Sequence, residues 1–251
     1  MVPVAGGPGV VPARPAAAEA RPAPRHGRAD DLAVAGLVPT STVDWPGKIV
    51  ATAFLQGCPW RCTYCHNAAI LDPRTPGVVP WSRVRALLAR RVGLLDGVVF
   101  SGGEPTRQPA LLDAVREVRE AGFAVGLHTG GAYPKRLAAL LPHVDWVGLD
   151  VKAPAHLYRA ITRTGGPTTS ADQAFASLRL VLDSGVDVQV RTTVDPTVLG
   201  AQDVAELAVT LAGLGVRDHV LQQVRPDGTT DEYRAALAAV GGGREAGAGH
   251  A

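Results

Sequence analysis

Six apolar runs recur along this chain, at residues 49–55, 97–101, 123–131, 145–154, 186–196 and 218–226, and each closes on a polar or glycine-rich tip. The first tip is a cysteine loop that opens at Gly57. The others read Ser101-Gly102-Gly103-Glu104-Pro105, His128-Thr129-Gly130-Gly131, Asp150-Val151-Lys152, Arg191-Thr192-Thr193 and Gln222-Gln223-Val224-Arg225. Stretches of helical periodicity separate them at residues 80–91, after Pro105, and at 134–141, 171–184 and 201–214. Strands alternating with helices imply a parallel α/β sheet with right-handed crossovers. In such sheets ligands bind at the carboxyl ends of the strands, so all six tips fall on one rim. Six units are too few for a closed eight-stranded barrel, which takes about 250 ordered residues.

The first tip carries the only thiols of the protein, Cys58, Cys62 and Cys65, in a C-x3-C-x2-C spacing. Three thiols within eight residues build a metal site and not a disulfide frame. They suit three corners of a cubane iron–sulfur cluster, which normally takes four cysteines, and no fourth exists here. The other reading is a Cys3His zinc site completed by His66. Adjacent Cys65 and His66 would strain to reach one tetrahedral ion. Structural zinc modules also offer two separated ligand pairs, so the spacing favours the cluster.

Composition narrows the class further. With 251 residues, 46% of them hydrophobic, residues 31–240 can bury one core as a single domain. Residues 1–30 are rich in Pro, Ala and Arg without apolar periodicity and read as a disordered tail; residues 241–251 read as a flexible glycine-rich tail. The N-terminus lacks the apolar h-region of a secretory signal, and no run approaches the ~20 residues of a membrane span. A formal charge of +2 offers no reason to invoke nucleic acid or an anionic membrane as partner. Clustered thiols point to the reducing cytoplasm.

With Tyr64 just before the last cysteine, the loop resembles the signature of the radical S-adenosylmethionine (SAM) enzymes. The segment from Ser41 to Cys58, STVDWPGKIVATAFLQGC, followed by CTYCHN, is similar to the opening of the glycyl-radical-enzyme activating proteins. It is most like the branch that activates anaerobic ribonucleoside-triphosphate reductase, over about residues 32–240. Trp45 occupies a position where some relatives carry Gly and that branch tolerates a large side chain. The resemblance implies a partial (β/α)6 barrel and one 4Fe-4S cluster held by Cys58, Cys62 and Cys65, with SAM chelating the open iron. It implies reductive cleavage of SAM to a 5′-deoxyadenosyl radical that takes a hydrogen atom from a glycine of a partner glycyl radical enzyme. A flavodoxin- or ferredoxin-type protein would supply the electron.

The same resemblance assigns cofactor contacts residue by residue. Tyr64 and His66 would lie against the adenosyl part of SAM. Gly102, Gly103 and Glu104 would meet its amino group, and the Asp150–Lys152 element would run along it with Thr129 nearby. Asp150 and Lys152 share one face of their strand, and such an inward pair is costly unless it meets a ligand or neutralises itself. Arg191 has two candidate partners, the SAM carboxylate and Asp150. One departure is His128-Thr129-Gly130-Gly131, where relatives carry Asp-Thr-Asn-Gly. The remaining histidines read as surface or packing residues. Two other functions stay open: a radical SAM enzyme acting on a small molecule or peptide, and a zinc-binding interaction domain.

Overall fold

The computed structural model describes residues 29–165 and 169–245. The expected tails, apart from their inner ends, lie outside the described residues, as do His26 and His250. Seven strands form one sheet in sequence order: β1 Val34–Ser41, β2 Val50–Leu55, β3 Gly97–Gly102, β4 Ala124–Thr129, β5 Trp146–Asp150, β6 Asp187–Val194 and β7 His219–Gln223. Strands β2 to β7 are parallel to their neighbours, while β1 runs antiparallel to β2. Helices α1 Trp81–Ala89, α2 Leu111–Glu120, α3 Pro134–Leu140, α4 Tyr158–Thr162, α5 Thr169–Ser184 and α6 Ala201–Gly213 connect them, and α7 Asp231–Glu245 follows β7. The sheet does not close: β1 and β7 remain its two edges.

All six expected parallel strands are present. They were legible because a strand covered on both faces is a short, nearly continuous apolar run. Alternate residues face opposite ways. Ala51, Ala53, Leu55, Val98, Phe100, Val125, Leu127, Val147, Leu149 and Val190 join the helical layer in the main core. On the opposite face a smaller cluster gathers Trp45, Val50, Val99 and Trp146, with the two indoles stacked at 5.5 Å. Trp45 brings the β1–β2 connection onto this face, and the neighbouring Asp44 carboxylate accepts from Thr52 Oγ1 at 2.7 Å.

Three elements were not foreseen: β1, α4 and α7. Strand β1 buries only its ends, Val34 and Ser41, and contains Pro39, so it shows neither alternation nor a continuous apolar run. Its place as an edge strand explains why a proline is tolerated. The boundaries also shift. Ala29 is 1% exposed and Asp30 pairs with Arg85 at 2.7 Å, so packing begins before residue 31. Helix α7 runs past residue 240 to Glu245. Among the described residues no helix is long and apolar enough to cross a membrane.

Candidate active site

The cysteine loop leaves β2 at Gln56 and is fastened from several directions by main-chain bonds. Gly57 N–H donates to Ile70 O (2.8 Å) and Cys58 N–H to Leu71 O (3.1 Å). Arg61 and Thr63 N–H donate to Thr162 O and Ile161 O at the end of α4 (2.9 and 3.0 Å). The glycine turn after β3 locks onto the same stem, with Gly103 N–H donating to Leu55 O and Glu104 N–H to Gly57 O, both at 2.9 Å. This approach demands glycine. Gly102 has φ +112°, and a Cβ on Gly103 would lie 2.4 Å from Gly57 O.

Glu104 is 2% exposed, and its carboxylate accepts from Thr106 N–H (3.1 Å), Thr106 Oγ1 (2.6 Å), Thr129 Oγ1 (2.7 Å) and Gly130 N–H (2.9 Å). Burial pushes its pKa up and these four donors pull it back. Glu104 therefore ties the tips of β3 and β4 together, and Thr129 is part of that tie. Gly130 answers the departure in the third tip: a Cβ there would sit 2.5 Å from the Trp60 ring. Trp60, between the first two cysteines, is 4% exposed and stands edge-on to Tyr158 at 5.9 Å.

His128, on the face of β4 opposite the helical layer, lies against three groups. Nε2 lies 2.7 Å from Asp44 O, Nδ1 is 3.2 Å from Ser101 Oγ, and Arg191 Nη1 is 3.1 Å from Nε2. The neutral tautomer that donates Nε2–H to Asp44 O leaves Nδ1 to accept from Ser101, and Arg191 then stands beside the ring as a charge and not as a hydrogen-bond partner. Burial, helped by the Arg191 charge, pulls its pKa down to about 4. The unfolded chain takes up this proton near pH 6.5, whereas the folded protein refuses it until about pH 4. Stability of the metal-free protein should thus be full above pH 6.5 and fall by about 3 kcal/mol as the pH drops to 4. Denaturant titrations across that range should show the fall, and His128→Gln should flatten it.

Asp150 sits between two cations. Arg191 Nε and Nη2 lie 3.0 and 2.9 Å from Oδ1, and Lys152 Nζ lies 3.6 Å from Oδ2. Burial would raise the Asp150 pKa, but Arg191 and Lys152 hold it below the usual carboxylate range. Of its two candidate partners, Arg191 pairs with Asp150. The Lys152 ammonium stands 5.7 Å from the Tyr64 ring centre and 5.9 Å from that of Trp60. Burial works against its charge, yet Tyr64, Cys62 and Asp150 hold its pKa well above the ordinary lysine value.

The thiols fit a bound metal centre. Burial pushes Cys58 up to about 12 and Cys62 to about 11, and raises Cys65. Lys152 opposes the rise at all three without overcoming it. Such thiols become thiolates only when further positive charge arrives, which bound metal supplies. Among the described residues, the one group of three His, Cys, Asp or Glu ligand atoms within 4.8 Å of one another is His156, Asp203 and Glu206. Three thiolates on one tetrahedral zinc would stand roughly 3.8 Å apart, given Zn–S bonds of about 2.3 Å. The sulfurs of Cys58, Cys62 and Cys65 do not converge in that way.

The chain matches the Radical SAM superfamily over residues 52–212. It belongs to that superfamily. A protein of Methanocaldococcus jannaschii named as a glycyl-radical enzyme activating enzyme is 31% identical over 207 residues, 79% of this chain and 82% of that one. The pyruvate formate-lyase-activating enzyme of Clostridium pasteurianum is 32% identical over 171 residues, 64% of this chain and 68% of that one. Among solved structures, native anSMEcpe with bound AdoMet and a peptide superposes with a TM-score of 0.56 at 16% identity, covering 68% of this chain and 49% of that one. Streptococcus suis SuiB bound to its precursor peptide gives 0.52 at 14% identity, covering 76% and 45%. This chain spans about half the length of those two proteins, and the likeness shows the fold alone. It is a radical SAM enzyme.

Within this radical SAM enzyme the expected site residues divide into two groups. Tyr64, Gly102, Gly103, Glu104, Thr129, Asp150, Lys152 and Arg191 form one connected rim around the cysteine loop. His66 is exposed, with its carbonyl under Gly228, and Gln222, Gln223 and Arg225 are exposed at the open edge of the sheet. Trp60, Thr63 and Asp195 were missed. The indole between the cysteines was a usable signal, but nothing local marks the other two.

Proposed function

We propose that this radical SAM enzyme activates a glycyl radical enzyme, holding a 4Fe-4S cluster on Cys58, Cys62 and Cys65 with SAM at the iron they leave open. The observation that carries this reading is the likeness to the Methanocaldococcus jannaschii protein, which spans 79% of this chain and 82% of that one and so exceeds a shared core. Together, cluster and SAM supply reductive cleavage of SAM and hydrogen-atom abstraction by the 5′-deoxyadenosyl radical. The chain's own residues bind and orient. The thiolates hold iron, and the Lys152 ammonium offsets their negative charge. Gly102, Gly103 and the Asp150–Arg191 pair would line the amino-acid end of SAM, and Tyr64 would face its adenosyl part; His66, exposed beyond the rim, would reach it only from the outside. The Glu104 tie keeps Thr129 in place beside them. The unclosed side of the sheet gives a partner's glycine loop a way to the rim.

The finer reading names anaerobic ribonucleoside-triphosphate reductase as partner and a flavodoxin- or ferredoxin-type donor, in the cytoplasm. It rests on the likeness of the Ser41–Asn67 segment. A peptide substrate is the second reading, favoured by the PqqA peptide cyclase of Rhodopseudomonas palustris, 40% identical over 96 residues. That match covers 35% of this chain and 25% of the cyclase. The deciding experiment is anaerobic reconstitution, then dithionite and SAM, with and without a candidate reductase. Iron, sulfide, 5′-deoxyadenosine and a glycyl radical signal on the reductase are expected. 5′-Deoxyadenosine without a radical on any glycyl radical enzyme would shift the reading to peptides, and absence of sulfide would remove it.

A further inference from the structure

Asp195, one residue beyond β6, is 0% exposed. Its Oδ1 serves the local turn, accepting from Thr197 N–H (3.0 Å) and Thr197 Oγ1 (2.7 Å), and also accepts from the Tyr233 hydroxyl (2.8 Å). Its Oδ2 is not needed by that turn and accepts instead from Thr63 Oγ1 at 2.5 Å, across 132 residues of sequence. All four donors are neutral. A carboxylate so placed is costly to bury and persists where its bonds hold something in position.

What it holds is the middle of the cysteine loop. Thr63 follows Cys62 and stands two residues before Cys65, in a turn closed by Cys65 N–H donating to Cys62 O at 3.2 Å. Its N–H is fixed on the other side by Ile161 O at 3.0 Å. Between α4 and Asp195, Thr63 is bonded on both sides, by its N–H and its hydroxyl, so the backbone that carries Cys62 and Cys65 is fixed in place. At the other end of the carboxylate stands Tyr233, 2% exposed and the one fully buried residue of 231–240 in α7, with Leu237 half-buried against the core one turn on.

We propose that Asp195 is a positioning residue for the metal-binding loop, acting through Thr63 and fastened through Tyr233 to α7. The inference rests on the cluster reading above. Pre-ordering a loop matters because binding otherwise has to supply its ordering entropy.

The test uses the full chain and four variants. Thr63→Val removes the donor, Thr63→Ser keeps it, Tyr233→Phe cuts the link to α7, and Trp81→Phe removes a bond between Trp81 Nε1 and Glu117 (2.7 Å) in the helical layer as a control. Melting of the metal-free proteins, iron retained against a chelator after reconstitution, and the electron paramagnetic resonance spectrum of the reduced protein are the readouts. Thr63→Val should lose iron about tenfold more readily and show an altered spectrum, as expected for losing a hydrogen bond to a charged group. Thr63→Ser should match the parent, Tyr233→Phe should fall between, and Trp81→Phe should melt lower yet hold iron normally. If Thr63→Val holds iron as the parent does, or loses it only as far as Trp81→Phe does, the proposal is wrong. If the parent takes up no iron and sulfide at all, the cluster reading fails first and this inference falls with it.

Discussion

Cys62→Ala protein, reconstituted anaerobically with iron and sulfide, should hold no cubane cluster and release no 5′-deoxyadenosine above background. The chain has three thiols and no fourth, so each supplies one of only three protein ligands. The alanine protein retains two. His66 follows Cys65 directly but is exposed. The measurements are iron and sulfide per chain and 5′-deoxyadenosine after reduction with SAM present. SAM cleavage at the parental level would defeat the ligand assignment.

Asp150→Ala should destabilise the metal-free protein by roughly 2–4 kcal/mol at neutral pH. The Arg191 and Lys152 side chains are 12% and 10% exposed and share this carboxylate. Removing it strands two buried cations side by side. Breaking a fully buried pair costs about 3–5 kcal/mol, and the figure is set lower because Asp150 itself is 35% exposed and partly screened. The sign with pH follows from its depressed pKa. The contribution is present above the unfolded carboxylate value and is lost progressively as the pH falls from there through the depressed folded value, so the parent and the variant should draw together in acid. Guanidinium titrations at pH 7 and pH 3 test both statements. A loss under 1 kcal/mol at pH 7 would mean that the two cations find water or other partners.

Legibility followed the range of the interactions. The parallel strands and their tips could be read because burial on both faces writes a local apolar run and the rim writes glycine and charge at its end. The double glycine after β3 was equally visible, although the reason for it, contact with the stem of the cysteine loop, spans 46 residues from Gly57 to Gly103. Strand β1 escaped because an edge strand half in water has no such run. His128 and Gly130 looked like departures without explanation. In the fold one is a neutral histidine bridging Ser101 and Asp44, and the other is the space into which Trp60 packs.

What the amino-acid order determined by itself is the chemistry on offer: three thiols in one loop, a repeated strand-and-tip unit, and therefore one rim for both. Those properties rest on residue type and on spacing within about ten positions. Which partner each charged group takes was decided only in three dimensions. Glu104 serves Thr106, Thr129 and Gly130, Arg191 turns to Asp150, and Asp195 reaches Thr63. A buried charge pairs with whatever the packed chain brings within about 3 Å, and sequence distance has no part in that choice.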